Sequence, residues 1–252
     1  MARRILARPK EGTHVGRRSR AGGSLRKARD PREVPRYTLT EAAGYLRLPP
    51  ATLRAWIFGR PYPKLTGRGF SAGLIRIPDP DDGRLSFLNL VEAHVLCALR
   101  RRHEVPMSAV RKATEYMRKG HGVERLFLRR GLQAGMGRLF IEQYGQLLNI
   151  GEEGQLAIMD MLRAYLERVG RDSEGKPFRL FPVTRDEALR SPMVILIDPR
   201  ISFGSPVIAH RAVKTSTVAS RFDAGESVVA IAEDYGLEAH EVEEAIRYER
   251  AA

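Results

Sequence analysis

Apolar and polar positions alternate along this chain mainly with a helical period, and breaks in that period mark out its parts. Between Tyr37 and Phe58, Ala42, Ala43 and Leu46 recur on one face, Leu48-Pro49-Pro50 interrupts it, and Leu53, Trp56 and Ile57 resume at i, i+3, i+4. Thr40 is a suitable N-cap for the first helix, Glu41 favours its dipole, and Pro50 suits the first turn of the second. The expectation is two short helices joined by a tight turn, the arrangement that places a second helix in a DNA major groove. Thr52 and Arg54 lie off the apolar face of that second helix.

Beyond it, Gly73–Ile77, a Pro- and Asp-rich cluster and Arg84–Phe87 predict a β-hairpin, with Arg76 and Arg84 beside it. Leu90, Val91, Val95 and Leu99 predict a helix, and Val110, Ala113 and Met117 another. The middle segment predicts strands at 138–142 and 146–150 around Tyr144-Gly145, a helix along Leu156–Val169 and a strand at 178–183. From Ile195 a strand leads through Asp198-Pro199 to three helices. They are capped near Thr215 and Ser227, turned at Gly225 and Tyr235-Gly236, and end with Val242, Ala245, Ile246 and Tyr248 inward. The fold class expected is α+β, mainly helical. Its parts are a basic arm (1–36), a winged helix-turn-helix (37–120), a small α+β connecting module (121–184) and a helical C-terminal domain (185–252).

Charge sharpens this division. The chain has 252 residues and a net charge of +13, and residues 1–36 hold twelve Lys/Arg against Glu11, Asp30 and Glu33. That stretch is rich in Gly and Pro and poor in large apolar residues, so it is expected to be a disordered arm able to neutralise phosphates. The single cysteine, Cys97, excludes an intrachain disulfide and a Cys-based zinc site. No apolar run approaches a membrane span, and a cytoplasmic location is expected. His14, His94, His103, His121, His210 and His240 form no metal spacing. Gly131, Gly135 and Gly137 lack a following Gly-Lys-Ser/Thr. No catalytic residue, metal or cofactor is therefore expected.

The segment 37–119 resembles the MerR-like winged-helix family, through T-L-T-E-A-A-x-Y-L, P-x-T-L-R-x-W and R-L-S-F-L-N-L-V-E-A. It departs from that family in a long insert from Phe58 to Ala72 and in lacking a long heptad helix. The segment 194–249 resembles a small uncharacterised domain family found in many prokaryotic antitoxins, through D-P-R-I-x-x-G-x-P-V-I, A-G-E-S-V and Tyr235. Together the two ends resemble a VapB-type antitoxin. The resemblance implies two activities: neutralising a PIN-like ribonuclease toxin, and repressing the operon through double-stranded DNA. A homodimer is expected.

Electrostatics assigns DNA to the first unit, because Glu238, Glu241, Glu243 and Glu244 would repel phosphates from the last helix. The expected DNA contacts are Thr40, Thr52, Arg54, Arg60, Lys64, Arg76 and Arg84. The expected toxin contacts are Arg200, Arg211, Lys214 and Arg221, with Arg211 foremost for a metal-binding acidic site. The competing reading is a ligand-responsive MerR-like regulator with residues 124–192 as sensor.

Overall fold

The computed structural model describes residues 30–63, 67–101, 106–185 and 188–251. The first helices among the described residues are α1 (Leu39–Tyr45) and α2 (Pro50–Phe58). The N-cap is Thr38, not Thr40: the Glu41 N–H donates to Thr38 Oγ1 at 3.2 Å, and the Glu41 carboxylate accepts the Thr38 N–H at 2.8 Å. This reciprocal pair satisfies two donors that a free helix end leaves orphaned, so it fixes the start two residues earlier than a lone threonine would. Pro50 opens α2 as expected.

An antiparallel hairpin follows directly, β1 (Arg60–Pro63) with β2 (Arg68–Ser71), in the register Arg60↔Ser71 to Pro63↔Arg68. It lies inside the segment that the sequence marks only as an insert. The hairpin expected at 73–77 and 84–87 does not form: Leu74 and Ile75 donate their N–H groups to Trp56 O at 2.6 and 3.0 Å, and Leu85 pairs with Tyr37 as an isolated bridge. The donors of Leu74, Ile75 and Leu85 are thus committed to Trp56 O and Tyr37 O, so the two segments do not pair with each other.

Helices α3 (Phe87–Arg101), α4 (Met107–His121), α5 (Gly135–Leu148) and α6 (Glu152–Glu167) form the central mass. The two strands expected at 138–142 and 146–150 are instead the single helix α5. Gly137, Phe140, Ile141, Tyr144 and Gly145 are buried, one above the other at helical spacing. Gly145 is not a turn but a close approach: a Cβ there would lie 2.6 Å from the Gln155 side chain of α6. β3 (Val169–Arg171) and β4 (Pro177–Leu180) then pair as a short hairpin. The C-terminal unit holds the sheet β5 (Ile195–Leu196), β6 (Val207–Ile208) and β7 (Val213–Lys214), followed by α7 (Thr215–Asp223), α8 (Val228–Tyr235) and α9 (Ala239–Arg250). The class is α+β and mainly helical.

One hydrophobic core runs from Tyr37 through Ala188 and takes in Ile197, so the helix-turn-helix and the middle segment share it. A second core fills the C-terminal unit from Ile195 to Tyr248. Buried Arg168 ties down the connection between them on both sides of the short helical turn Ala188–Arg190. Its Nε donates to Phe181 O, Nη1 to Ala188 O and Ser191 O, and Nη2 to Pro182 O and Pro192 O. All five guanidinium donors are thus satisfied by backbone carbonyls.

Of the expected basic arm, residues 1–29 lie outside the described residues. Residues 30–36 are not an arm but a strap on the first core. The Arg36 N–H reaches Leu85 O at 2.8 Å, the Leu88 N–H reaches Arg32 O at 3.1 Å, and Arg32 bridges Asp30 and Asp172 at 2.7 and 2.8 Å. Composition alone misses this because the partners lie far along the chain.

Candidate nucleic-acid interface

Helix α2 buries Leu53, Trp56 and Ile57 and turns the rest of its circumference outward. Arg54 is exposed and its guanidinium stacks over the Phe58 ring at 5.3 Å, which pre-orders the long side chain. Thr52 is half-buried. Thr40 is exposed in the first turn of α1. Gly59 makes the corner from α2 into β1 with φ +79°. A Cβ there would meet Ser71 O at 2.3 Å, so the corner requires glycine. The corner places the β1–β2 hairpin immediately after α2, where a wing stands. Arg60 and Arg68 are exposed on its two strands, together with Tyr62 and Phe70.

Among the expected DNA contacts, Thr52, Arg54 and Arg60 therefore fall on α2 and the wing. Lys64 lies outside the described residues. Arg76 and Arg84 are exposed on the loop between β2 and α3 rather than on a hairpin. Arg84 donates to Arg36 O at 3.1 Å and pairs with Asp82 at 3.5 Å. Sequence reasoning missed Arg68, Tyr62 and Phe70. The signal was the pairing of R-P-Y-P with R-G-F-S about the intervening Gly67, which the two prolines disguise.

The second helix-turn-helix, α8–α9, is differently placed. Its last helix buries Glu241, Val242, Glu244, Ala245, Ile246 and Tyr248. Tyr248 Oη donates to Tyr45 O at 2.9 Å, and Arg47 Nη2 donates to Arg247 O at 3.0 Å, so α9 sits against the end of α1 and its turn. Burial drives the Tyr248 phenol well above its ordinary range. Burial also pushes the Glu244 carboxyl up, but hydrogen bonds from Thr184 and Arg185, with the charges of Arg185 and Arg247, hold it below the ordinary glutamate range.

The four cations expected to meet a toxin are scattered over the C-terminal unit. Arg200 grips buried Asp198 through two hydrogen bonds of 2.9 and 2.7 Å. Arg221 is held by Glu226 and Asp234 and lies over the Tyr235 ring. Arg211 Nε donates at 3.2 Å to Gly236 O, at the end of α8, while the residue stays exposed. Lys214 is exposed at the N-cap of α7. No helix among the described residues is long and apolar enough to cross a membrane.

Comparison with known proteins gives matches at both ends. Residues 35–114 match the family described as "Putative DNA-binding HTH domain", and residues 195–248 match "Protein of unknown function (DUF433)". The chain is 30% identical over 232 residues to the "Putative antitoxin VapB45" of Mycobacterium tuberculosis, covering 85% of this chain and 93% of that protein. It is 28% identical to the "Uncharacterized protein Rv2308" of the same organism, over 86% of this chain and 90% of that one. The crystal structure of Rv2018 from M. tuberculosis superposes with a TM-score of 0.59 at 25% identity, covering 84% of this chain and 98% of that chain.

Proposed function

The chain belongs to the family of the "Putative antitoxin VapB45", and from that premise we propose that it represses its own operon through α2 and the wing while neutralising a PIN-like ribonuclease through its C-terminal unit. A DNA-binding role and an antitoxin role follow from the matched helix-turn-helix domain and the relative. The finer reading concerns which surface does each.

The observation that carries it is the contrast between two similar motifs. Helix α2 leaves Arg54 open beside the exposed wing residues Arg60 and Arg68, whereas α9 spends its inner face on the fold. A cationic helix edge with an adjoining cationic hairpin suits a major groove and its flanking phosphates. Arg54 is proposed to read a base edge. Thr40, Thr52, Arg60, Arg68, Arg76, Arg84 and Lys64 are proposed to hold the backbone. Residues 1–29, with ten Lys/Arg against Glu11, add a sequence-independent term. Two copies on a palindromic operator would place two α2 helices about 34–36 Å apart.

For the toxin, the proposed contacts are Arg200, Arg211, Lys214 and Arg221. Lys214 and Arg211 are the favoured pair, because the other two already neutralise carboxylates of their own domain. The test is co-expression of the full chain with the product of the adjacent gene, followed by ribonuclease titration and footprinting upstream of the operon. Co-purification with inhibition, and a protected palindrome, support the reading. A chain that binds neither that DNA nor that protein rejects it.

A further inference from the structure

Helix α4 lies outside α2 and the wing, yet one of its side chains reaches the base of the hairpin. Arg111 Nε donates to Ala72 O at 2.7 Å. Ala72 follows Ser71, the last residue of β2, and Ser71 stands opposite Arg60 at the start of β1. The bond therefore brings a guanidinium from α4 to the corner where Arg60 leaves Gly59.

Neither arginine meets a counter-charge there. Arg111 Nη1 and Nη2 donate to no acceptor among the described residues, and the side chain is half-buried rather than sealed. Arg60 is exposed and forms no ion pair among the described residues. Burial, and then the like charge of Arg60, lower the proton affinity of Arg111. Like charges that a fold holds near each other oppose it, and an anion between them removes that cost.

The carboxylates in reach are committed elsewhere. Glu115, one turn further along α4, pairs with Arg118 at 2.6 Å and with Lys119 at 3.1 Å. Arg111 also borders a cleft that contains Glu92 and Glu124. Glu92 is held by Arg125 at 2.8 Å, and the charge of Glu124 acts on Arg118. Between Glu41 and Asp79, a stretch that holds all of α2 and the wing, the chain has six Lys/Arg and no acid. Arg111 thus joins an acid-free surface, and the Nη donors left by its bonded Nε suit phosphate oxygens.

We propose that Arg111 and Arg60 hold one phosphate of the DNA backbone between them at the base of the wing, which makes α4 a third element of the interface. This rests on the assignment of DNA to α2 and the wing. The bond to Ala72 O fixes Arg111 before DNA arrives, so the side chain loses little freedom on binding. A phosphate contact carries no sequence information; it sets the register of the wing on the duplex.

The test uses the full chain and the DNA that it protects upstream of its gene. Affinity is measured across a range of salt for the wild type, Arg111→Ala and Arg111→Lys. The protected phosphates are also replaced one at a time by neutral methylphosphonates. Arg111→Ala is expected to make the salt dependence of log affinity shallower by about 0.9, and to weaken unrelated DNA as much as the protected site. Arg111→Lys keeps the charge without the Nε bond and is expected to keep most of the slope. One methylphosphonate is expected to weaken the wild type and Arg111→Lys but not Arg111→Ala. Should Arg111→Ala melt early, Arg111→Gln, neutral and of closer length, takes its place in the same comparison. A wild-type slope in the neutral variant, or methylphosphonates that act on it as on the wild type, overturns the clamp and leaves DNA on α2. Lysine behaving as alanine makes Arg111 a prop for the hairpin through Ala72 O and overturns the clamp as well. A wild-type chain that binds no DNA removes both the clamp and the assignment to α2.

Discussion

Among the described residues two helix pairs, α1–α2 and α8–α9, are alike in local geometry and opposite in what they leave exposed. Each has a reciprocal cap, Thr38 with Glu41 in one and Glu238 with Glu241 in the other. Each turns sharply between its helices, and each buries apolar residues of the second helix. The difference lies in what remains outside. The remaining face of α2 is short, carries Arg54 as its one charge and continues into a cationic hairpin. Helix α9 is acidic, and it packs two of its glutamates and Tyr248 against other parts of the fold. The geometry is shared, while charge and burial set what each pair presents: a cationic edge in α2, and in α9 a face spent on the chain's own fold.

Substitutions in the two units should have separable effects. Glu244→Ala should have the largest. It takes one of two partners from the Thr184 hydroxyl, which keeps Ser191, and removes the shared anion of Arg185 and Arg247, and should lower stability in denaturant unfolding by about 2–3 kcal/mol, as for a charged hydrogen-bonded group. Unaltered stability would mean that α9 is not held by this network. Arg54→Ala should cost about 1–3 kcal/mol of operator affinity if it reads a base, with the melting temperature unchanged. Tyr248→Phe removes the bond to Tyr45 O and should cost about 1 kcal/mol of stability while leaving operator affinity alone. Weaker DNA binding by this variant at full stability would assign α9 a share in recognition.

Acid should weaken the C-terminal unit. Glu244 and Asp198 both titrate below their ordinary ranges in the folded chain, so they bind more protons when unfolded. Their contribution is complete above the ordinary values of 4.5 and 3.8, and it fades as pH falls below them. Thermal melts across that range should show the slope in the wild type and a shallower one in Glu244→Gln. Deleting residues 1–29 gives the mildest change: a shallower salt dependence of log affinity, by about 0.9 for each phosphate that the arm no longer neutralises. An identical slope would remove the arm from the interface.

Much of this is legible in local pattern. The Leu53, Trp56, Ile57 spacing marks α2, and Pro50 marks its start. The C-terminal helices follow from Val218, Ile231 and Val242, and Ser227 caps α8 as expected, whereas α7 has Lys214 at its N-cap and Thr215 inside the helix, where its hydroxyl turns to Pro206 O and Glu249 instead of capping. The wing is hidden because Pro61 and Pro63 look like breakers, yet a two-stranded hairpin tolerates proline where its N–H would face away from the partner. Helix α5 is hidden because Gly145 resembles a turn residue, while its role is to let α6 approach. The fate of the C-terminal arginines is hidden more deeply. Arg221 finds Asp234, and Arg211 finds Gly236 O, only after three helices have packed. The seat of α9 on α1 joins residues 203 positions apart, beyond the reach of any periodicity.

Whether α2 or α9 meets DNA can be read from a photo-crosslinking side chain placed at position 54 in one variant and at position 243, an exposed α9 site, in another. Both variants are irradiated on the upstream operator DNA. Base-specific crosslinks are expected from position 54 and none from position 243. Crosslinks from position 243 with position 54 silent would contradict the assignment of DNA to α2.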